Sequence, residues 1–178
     1  MIQRMPEPRI ILRAFEKLDW PLVWEILKPV FRAGETYPYS PDISQDESYE
    51  QWITKPTATY VAVDDRNNLL GTYYIKPNQP TLGAHVCNCG YVVSAQFRGQ
   101  GVAAIMCEHS QQEAIRLGFR AMQYNLVVST NSVAIRLWQK LGFETVGRLS
   151  DAFNHSEHGF VDALVMYKQL VYRKPNHP

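Results

Sequence analysis

Reactive and anchoring chemistry is scarce in this sequence. Its 178 residues contain three cysteines, Cys87, Cys89 and Cys107. A C-x-C pair without a second pair makes a poor zinc site, so no metal is expected. An odd count points instead to reduced thiols packed as small apolar groups. The opening MIQRMPEPRIILRAF lacks the apolar core of a secretion signal, and no stretch approaches a membrane span. These absences give the expectation of a cytoplasmic protein with no membrane partner. Net charge is only +1, which excludes a chain-wide pull toward nucleic acid. No internal repeat or low-complexity segment occurs.

What is present suffices for one core. Hydrophobic residues make up 46% of the chain, and a single domain over residues 1–178 is expected. Strand patterns lie at 9–15, 57–64, 69–75, 84–93, 121–128, 143–149 and 160–169, with a hairpin turn at 64–68. Asp19 is placed to cap a first helix that tolerates Pro21 in its opening turn and carries Pro29 near its end. Ser44 with Glu47 forms a capping-box pattern for a second helix. A third runs to about Leu117, and a fourth from Asn131 to Leu141, with Gly142 at its C-terminal cap. Strands alternating with helices give an α/β architecture with a mixed sheet.

Residues 91–103, YVVSAQFRGQGVA, join an apolar strand to a helix N-terminus through a glycine-bearing loop. The first N–H groups of a helix lack intrahelical partners, and its dipole places partial positive charge there. Gly99 and Gly101 would let an anion approach the backbone, and Arg98 adds a planar fork of donors. The same pattern also describes an ordinary strand-to-helix turn. No Lys-Ser or Lys-Thr follows the glycines, which excludes the nucleotide-hydrolase loop. The dinucleotide fingerprint wants a third glycine where Ala104 stands.

A second pattern follows at residues 131–143, NSVAIRLWQKLGF. With R-x-x-G-x-A before it, at suitable spacing, the chain resembles the GNAT superfamily of acyl-CoA-dependent N-acetyltransferases over roughly residues 83–170. The resemblance implies the GNAT fold, a mixed central sheet of six to seven strands flanked by helices, with a splay between the fourth and fifth strands. It implies acetyl-CoA as co-substrate. Its pantetheine arm would lie along the main chain of Tyr91, Val92 and Val93, and its pyrophosphate on Arg98, Gly99, Gln100, Gly101, Val102 and Ala103. Asn131 would touch the cofactor while also capping its helix. A backbone N–H of Val92 or Val93 would polarise the thioester carbonyl during direct attack by an amine. The family's usual proton-donating tyrosine is replaced by Trp138, whose indole N–H is too weak an acid. No acid is assigned, and Glu35, Tyr91 and water are the open choices for a base.

Several stretches also look like the L-azetidine-2-carboxylate acetyltransferases: CNCGYVVSAQFRGQGVAAIMCEHS, MQYNLVVSTN and FNHSEHGFVDALVMY. That resemblance implies a small cyclic imino acid as acceptor, its carboxylate held by the Asn88 side chain and the Asn125-Leu126 backbone. Arg136 or Arg148 remain alternatives. The aromatic loop at 34–41, with Glu35, Tyr37 and Tyr39, either walls a pocket or packs rigidly on the core. His155, Glu157 and His158 read as a polar loop, since further metal ligands are missing. The competing functions are a protein or peptide acetyltransferase and a non-catalytic acyl-CoA-binding module. A homodimer is a further expectation from the resemblance.

Overall fold

The computed structural model describes residues 9–171. Its strands are β1 (Ile11–Ala14), β2 (Ala58–Val63), β3 (Leu69–Pro77), β4 (Val86–Val93), β5 (Ala121–Val128), β6 (Glu144–His155) and β7 (Gly159–Gln169). They form one seven-stranded sheet in the order β1-β2-β3-β4-β5-β7-β6. Every neighbouring pair is antiparallel except β4–β5. The helices are α1 (Trp20–Ala33), α2 (Gln45–Tyr49), α3 (Val102–Arg116) and α4 (Ser132–Lys140). This is the GNAT fold expected from the sequence.

Alternation along the central strands divides the core in two. Cys87, Cys89, Tyr91 and Val93 of β4 pack with Met106, Cys107 and Trp138 beneath α3 and α4. Val92 turns the other way, toward Val23, Leu27 and Phe31 of α1 and the buried Trp52. Because both faces are covered, the central strands read as continuous apolar runs rather than as alternation. Gly90 is required by close approach: a Cβ there would lie 2.6 Å from Tyr74 Cε1, whose ring rests on the β4 backbone.

Two local expectations are corrected. Asp19 stands at the N-cap of α1 without a side-chain capping bond. Its carboxylate instead takes both arms of Arg13, each at 2.7 Å, and the Glu16 N–H at 2.8 Å. A bidentate guanidinium outbids one peptide N–H, because charge-assisted bonds are about twice as strong. The sixth strand, expected to end at 149, continues to His155 across a break in register between Leu149 and Phe153. The Ser44–Glu47 capping box forms as expected, but α2 passes into a wider π turn at Glu50–Thr54.

Candidate active site

The site begins where β4 and β5 part. They pair only at Val86–Ala121 and Cys87–Met122, and then the ladder stops. A bulge in β5 between Tyr124 and Val127 turns that strand toward β7. At the root of the opening Asn88 Nδ2 donates to the Gln123 carbonyl at 2.9 Å, so a side-chain amide takes the place of the next ladder bond. Asn88 is buried, and its Oδ1 receives the Tyr74 hydroxyl at 3.4 Å.

Strand alternation decides which β4 peptide groups face the gap. The Val92 carbonyl lies against Gly71 of β3, and the Ser94 N–H reaches Leu70 O at 2.8 Å. Even-numbered peptide groups therefore point at β3, and odd-numbered ones point into the splay. This corrects the expectation for Val92, whose main chain is turned to its β3 neighbour Thr72. Val93 and Tyr91 keep theirs toward the opening. The Tyr91 carbonyl accepts the Tyr37 hydroxyl at 2.9 Å.

Downstream, Ser94 leads through a short turn to Arg98, Gly99 and Gly101. The glycines have φ of +76° and +81°, and no atom lies within 4 Å of where a Cβ would stand on either. Gly101 is the N-cap of α3 without side-chain cover, so the first N–H groups of a 15-residue helix open onto that space. Arg98, Gly99 and Gln100 are exposed beside it, while Val102 is buried and Ala103 half-buried. A concave backbone, a helix dipole and a guanidinium fit a pyrophosphate. Asn131 caps α4, its Oδ1 accepting the Ala134 N–H at 3.1 Å.

On the α3–α4 side the gap is underlain by buried phenols. Tyr91 Oη contacts Ser110 Oγ at 2.7 Å and Tyr124 Oη at 3.0 Å. Burial raises both phenol pKa values well above normal, so each stays neutral. That leaves Tyr91 no role as a base. Trp138 packs on the pair, with ring centroids 5.1 and 5.2 Å away. Burial also raises the thiol pKa of Cys89 and Cys107, which makes them poor nucleophiles and agrees with direct transfer.

The opposite mouth is walled by the segment between α1 and α2. Tyr37 and Tyr39 stack 5.9 Å apart and pack against Phe31, and Tyr37 also meets Trp52. The loop is packed on the core, as the rigid-connector reading has it, and Tyr37 also reaches the Tyr91 carbonyl. Thr36 Oγ1 is the one buried side-chain polar atom without a partner among the described residues. The tip of the β6–β7 hairpin docks beside it, Ser156 N–H donating to Gly34 O at 3.1 Å. Glu35 is exposed.

Asn125 and Leu126 lie in the β5 bulge. Asn125 Nδ2 donates to Asn78 Oδ1 at 2.6 Å, and its Oδ1 accepts from Gln123 at 2.9 Å. Asn88, Gln123, Asn125 and Asn78 thus make a line of hydrogen-bonded amides at the root of the splay. Arg136 sits on α4, against the other sheet face, and Arg148 is tied to Asp162 at 2.5 Å. Lys76, on β3 directly across from Asn88, was not singled out by the sequence reading. Its signal was a lone cation on the same strand face as Tyr74. A groove of about 400 Å³ lined by Glu108, Gln111, Lys168 and Leu170 shares no residue with this site.

The profile of the acetyltransferase (GNAT) family matches residues 20–143, and the chain belongs to that family. It is an acyl-CoA-dependent N-acetyltransferase. N-acetyltransferase aca1 of Schizosaccharomyces pombe is 33% identical over 149 residues, which cover 74% of this chain and 71% of the relative. The solved structure of a GCN5-related N-acetyltransferase from Kribbella flavida is 40% identical and superposes with a TM-score of 0.85, covering 90% of this chain and 97% of that one. A phosphinothricin acetyltransferase from Sinorhizobium meliloti, solved with acetyl-CoA, shares the fold at 21% identity and a TM-score of 0.81, over 95% of this chain and 92% of its own. No helix among the described residues is long and apolar enough to cross a membrane. Nor do those residues contain a group of three metal-ligating side chains placed to hold an ion.

Proposed function

We propose that this chain transfers the acetyl group of acetyl-CoA to the amine of a small amino or imino acid of the azetidine-2-carboxylate or hydroxyproline kind. The carrying observation is the line of neutral amides, Asn88 to Asn125, at the root of the β4–β5 splay. When bound, acetyl-CoA supplies an electrophilic thioester carbonyl. Arg98, Gly99, Gln100, Gly101, Val102 and Ala103 would hold its pyrophosphate, and the Tyr91 and Val93 main chain its pantetheine arm. Asn131 would border the arm from the cap of α4. The Val93 N–H is the donor for the carbonyl oxygen, since a preorganised peptide dipole is most effective where water is excluded. Asn88 and the Asn125-Leu126 backbone orient the acceptor. Water takes the ammonium proton before attack, because both phenols beneath the gap are held neutral by burial, and the CoA thiolate departs without a general acid.

Closure of the mouth by Tyr37, Tyr39 and the β6–β7 tip favours a small acceptor over an extended peptide. The same reading includes a homodimer through β6, an edge strand on a sheet margin that exposes Val146, Leu149 and Phe160. The test is thiol release from acetyl-CoA with azetidine-2-carboxylate, cis-4-hydroxyproline, primary amino acids and a lysine-rich peptide. Turnover concentrated on the imino acids supports the assignment. Turnover with the peptide alone refutes it.

A further inference from the structure

The proposed acceptor carries a carboxylate, and the amides at the root of the splay are neutral. A cation is nevertheless present on that face. Along β3, Thr72, Tyr74 and Lys76 point the same way. Trp52 Nε1 donates to Thr72 at 3.1 Å, and the Tyr74 ring stands edge-on to Trp52 at 4.8 Å. Lys76 follows two residues later and pairs across the ladder with Asn88. Directly opposed residues hold their Cβ atoms about 5 Å apart on one face. Asn88 in turn bonds the next strand at the root of the splay. Lys76 therefore borders the residue proposed to orient the acceptor.

Its charge is also unspent. Arg13, Lys55, Arg116 and Arg148 each pair with a carboxylate within 4 Å, whereas Lys76 has none among the described residues. It is half-buried, with Nζ 5.1 Å from the centroid of the Tyr74 ring. Burial lowers its pKa, and the charge of Lys55 adds to the effect, so the ammonium is held at a cost. A bound anion would remove that cost. A lysine held only to cover the Tyr74 ring would need no anion.

We propose that Lys76 is the specificity-determining residue for the acceptor's carboxylate, its ammonium facing the anion while Asn88 and the Asn125-Leu126 backbone fix its direction. This rests on the small-acid reading of the site. A peptide acceptor, whose reactive lysine carries no free carboxylate nearby, would leave Lys76 without a role.

The experiment compares azetidine-2-carboxylate with azetidine-2-carboxamide, the same ring without the charge, using wild type, Lys76→Met and Lys76→Arg. Wild type should favour the carboxylate, and Lys76→Met should lower kcat/KM for it by about tenfold to a hundredfold, the loss of one charge-assisted contact. The loss should fall on KM. For the carboxamide, kcat/KM should change by less than about threefold, and so should the KM for acetyl-CoA. Lys76→Arg should recover most of the activity. Equal losses on acid and amide, or no loss on the acid, overturn the proposal. If another amine proves to be the acceptor, the imino-acid assignment falls, and Lys76 is judged by the same ratio on that amine with and without its carboxylate. An acceptor turned over equally well in both forms refutes the role outright. Unchanged thermal midpoints separate these outcomes from misfolding.

Discussion

Gly101→Ala separates the cofactor loop from an ordinary helix start. Gly101 sits at φ +81° with open space where a Cβ would go, so the substitution clashes with nothing in the free protein. Its cost is the left-handed strain of about 1–2 kcal/mol. Reduced freedom of the unfolded chain offsets about 0.4–1 kcal/mol of that. The net loss of about 1 kcal/mol should lower the thermal midpoint by roughly 2–4 °C. Gly118, just past the end of α3, provides the control, with φ +89° and equally empty surroundings. It lies about 22 Å away along a 15-residue helix. Gly118→Ala should therefore destabilise by a similar amount. Only at position 101 does the new methyl enter the space left for a phosphate and tilt the amides that face it. Loss of one charge-assisted contact, about 1.5–3 kcal/mol, weakens acetyl-CoA binding by roughly ten- to a hundredfold or more. Calorimetric titration with acetyl-CoA beside thermal unfolding reads both effects. Equal affinities for the two variants would refute the loop assignment.

Three further outcomes follow from side chains near the site and the first strand. Asp19 is held below the usual carboxylate range by its hydrogen bonds from Arg13, so its stabilisation is complete above about pH 4 and fades as pH falls through the depressed value. Asp19→Asn should cost about 1–2 kcal/mol at pH 7 in chemical denaturation, with a smaller difference from wild type at pH 3. Tyr37→Phe deletes the donor to the Tyr91 carbonyl, a part-buried hydrogen bond whose loss should cost about 0.5–1.5 kcal/mol, read as a lower thermal midpoint. Trp138 makes no side-chain hydrogen bond among the described residues, so Trp138→Phe should leave kcat within about threefold of wild type, whereas an indole acting as proton donor would cost about a hundredfold.

The fold was legible in the sequence wherever both faces of an element are buried. The strand now seen at Val86–Val93 and the helices opened by Gly101 and Asn131 carried their apolar runs and caps in plain view. The end of β6 was hidden because that edge strand is mostly exposed, and Asp151, at φ +50°, sits within its break in register. The glycine-bearing loop before α3 was also legible, since glycine spacing and a following helix are local properties. The orientation of Val92 was not. It depends on which β4 edge faces β3, which only the register of the assembled sheet decides. Asn88 shows the same division: a polar residue within the apolar run HVCNCGYVV was visible, but its burial and its bond to Gln123 exist only because β5 lies alongside. Lys76 gained its meaning in the same way, through a partner across the ladder.

The most direct test of the account is amide hydrogen exchange with and without acetyl-CoA. The splayed-strand account predicts new protection confined to residues 91–103 and to the segment from Leu126 to Asn131. Protection around the groove of Glu108, Gln111 and Lys168 instead, or none at the loop under saturating cofactor, would contradict it.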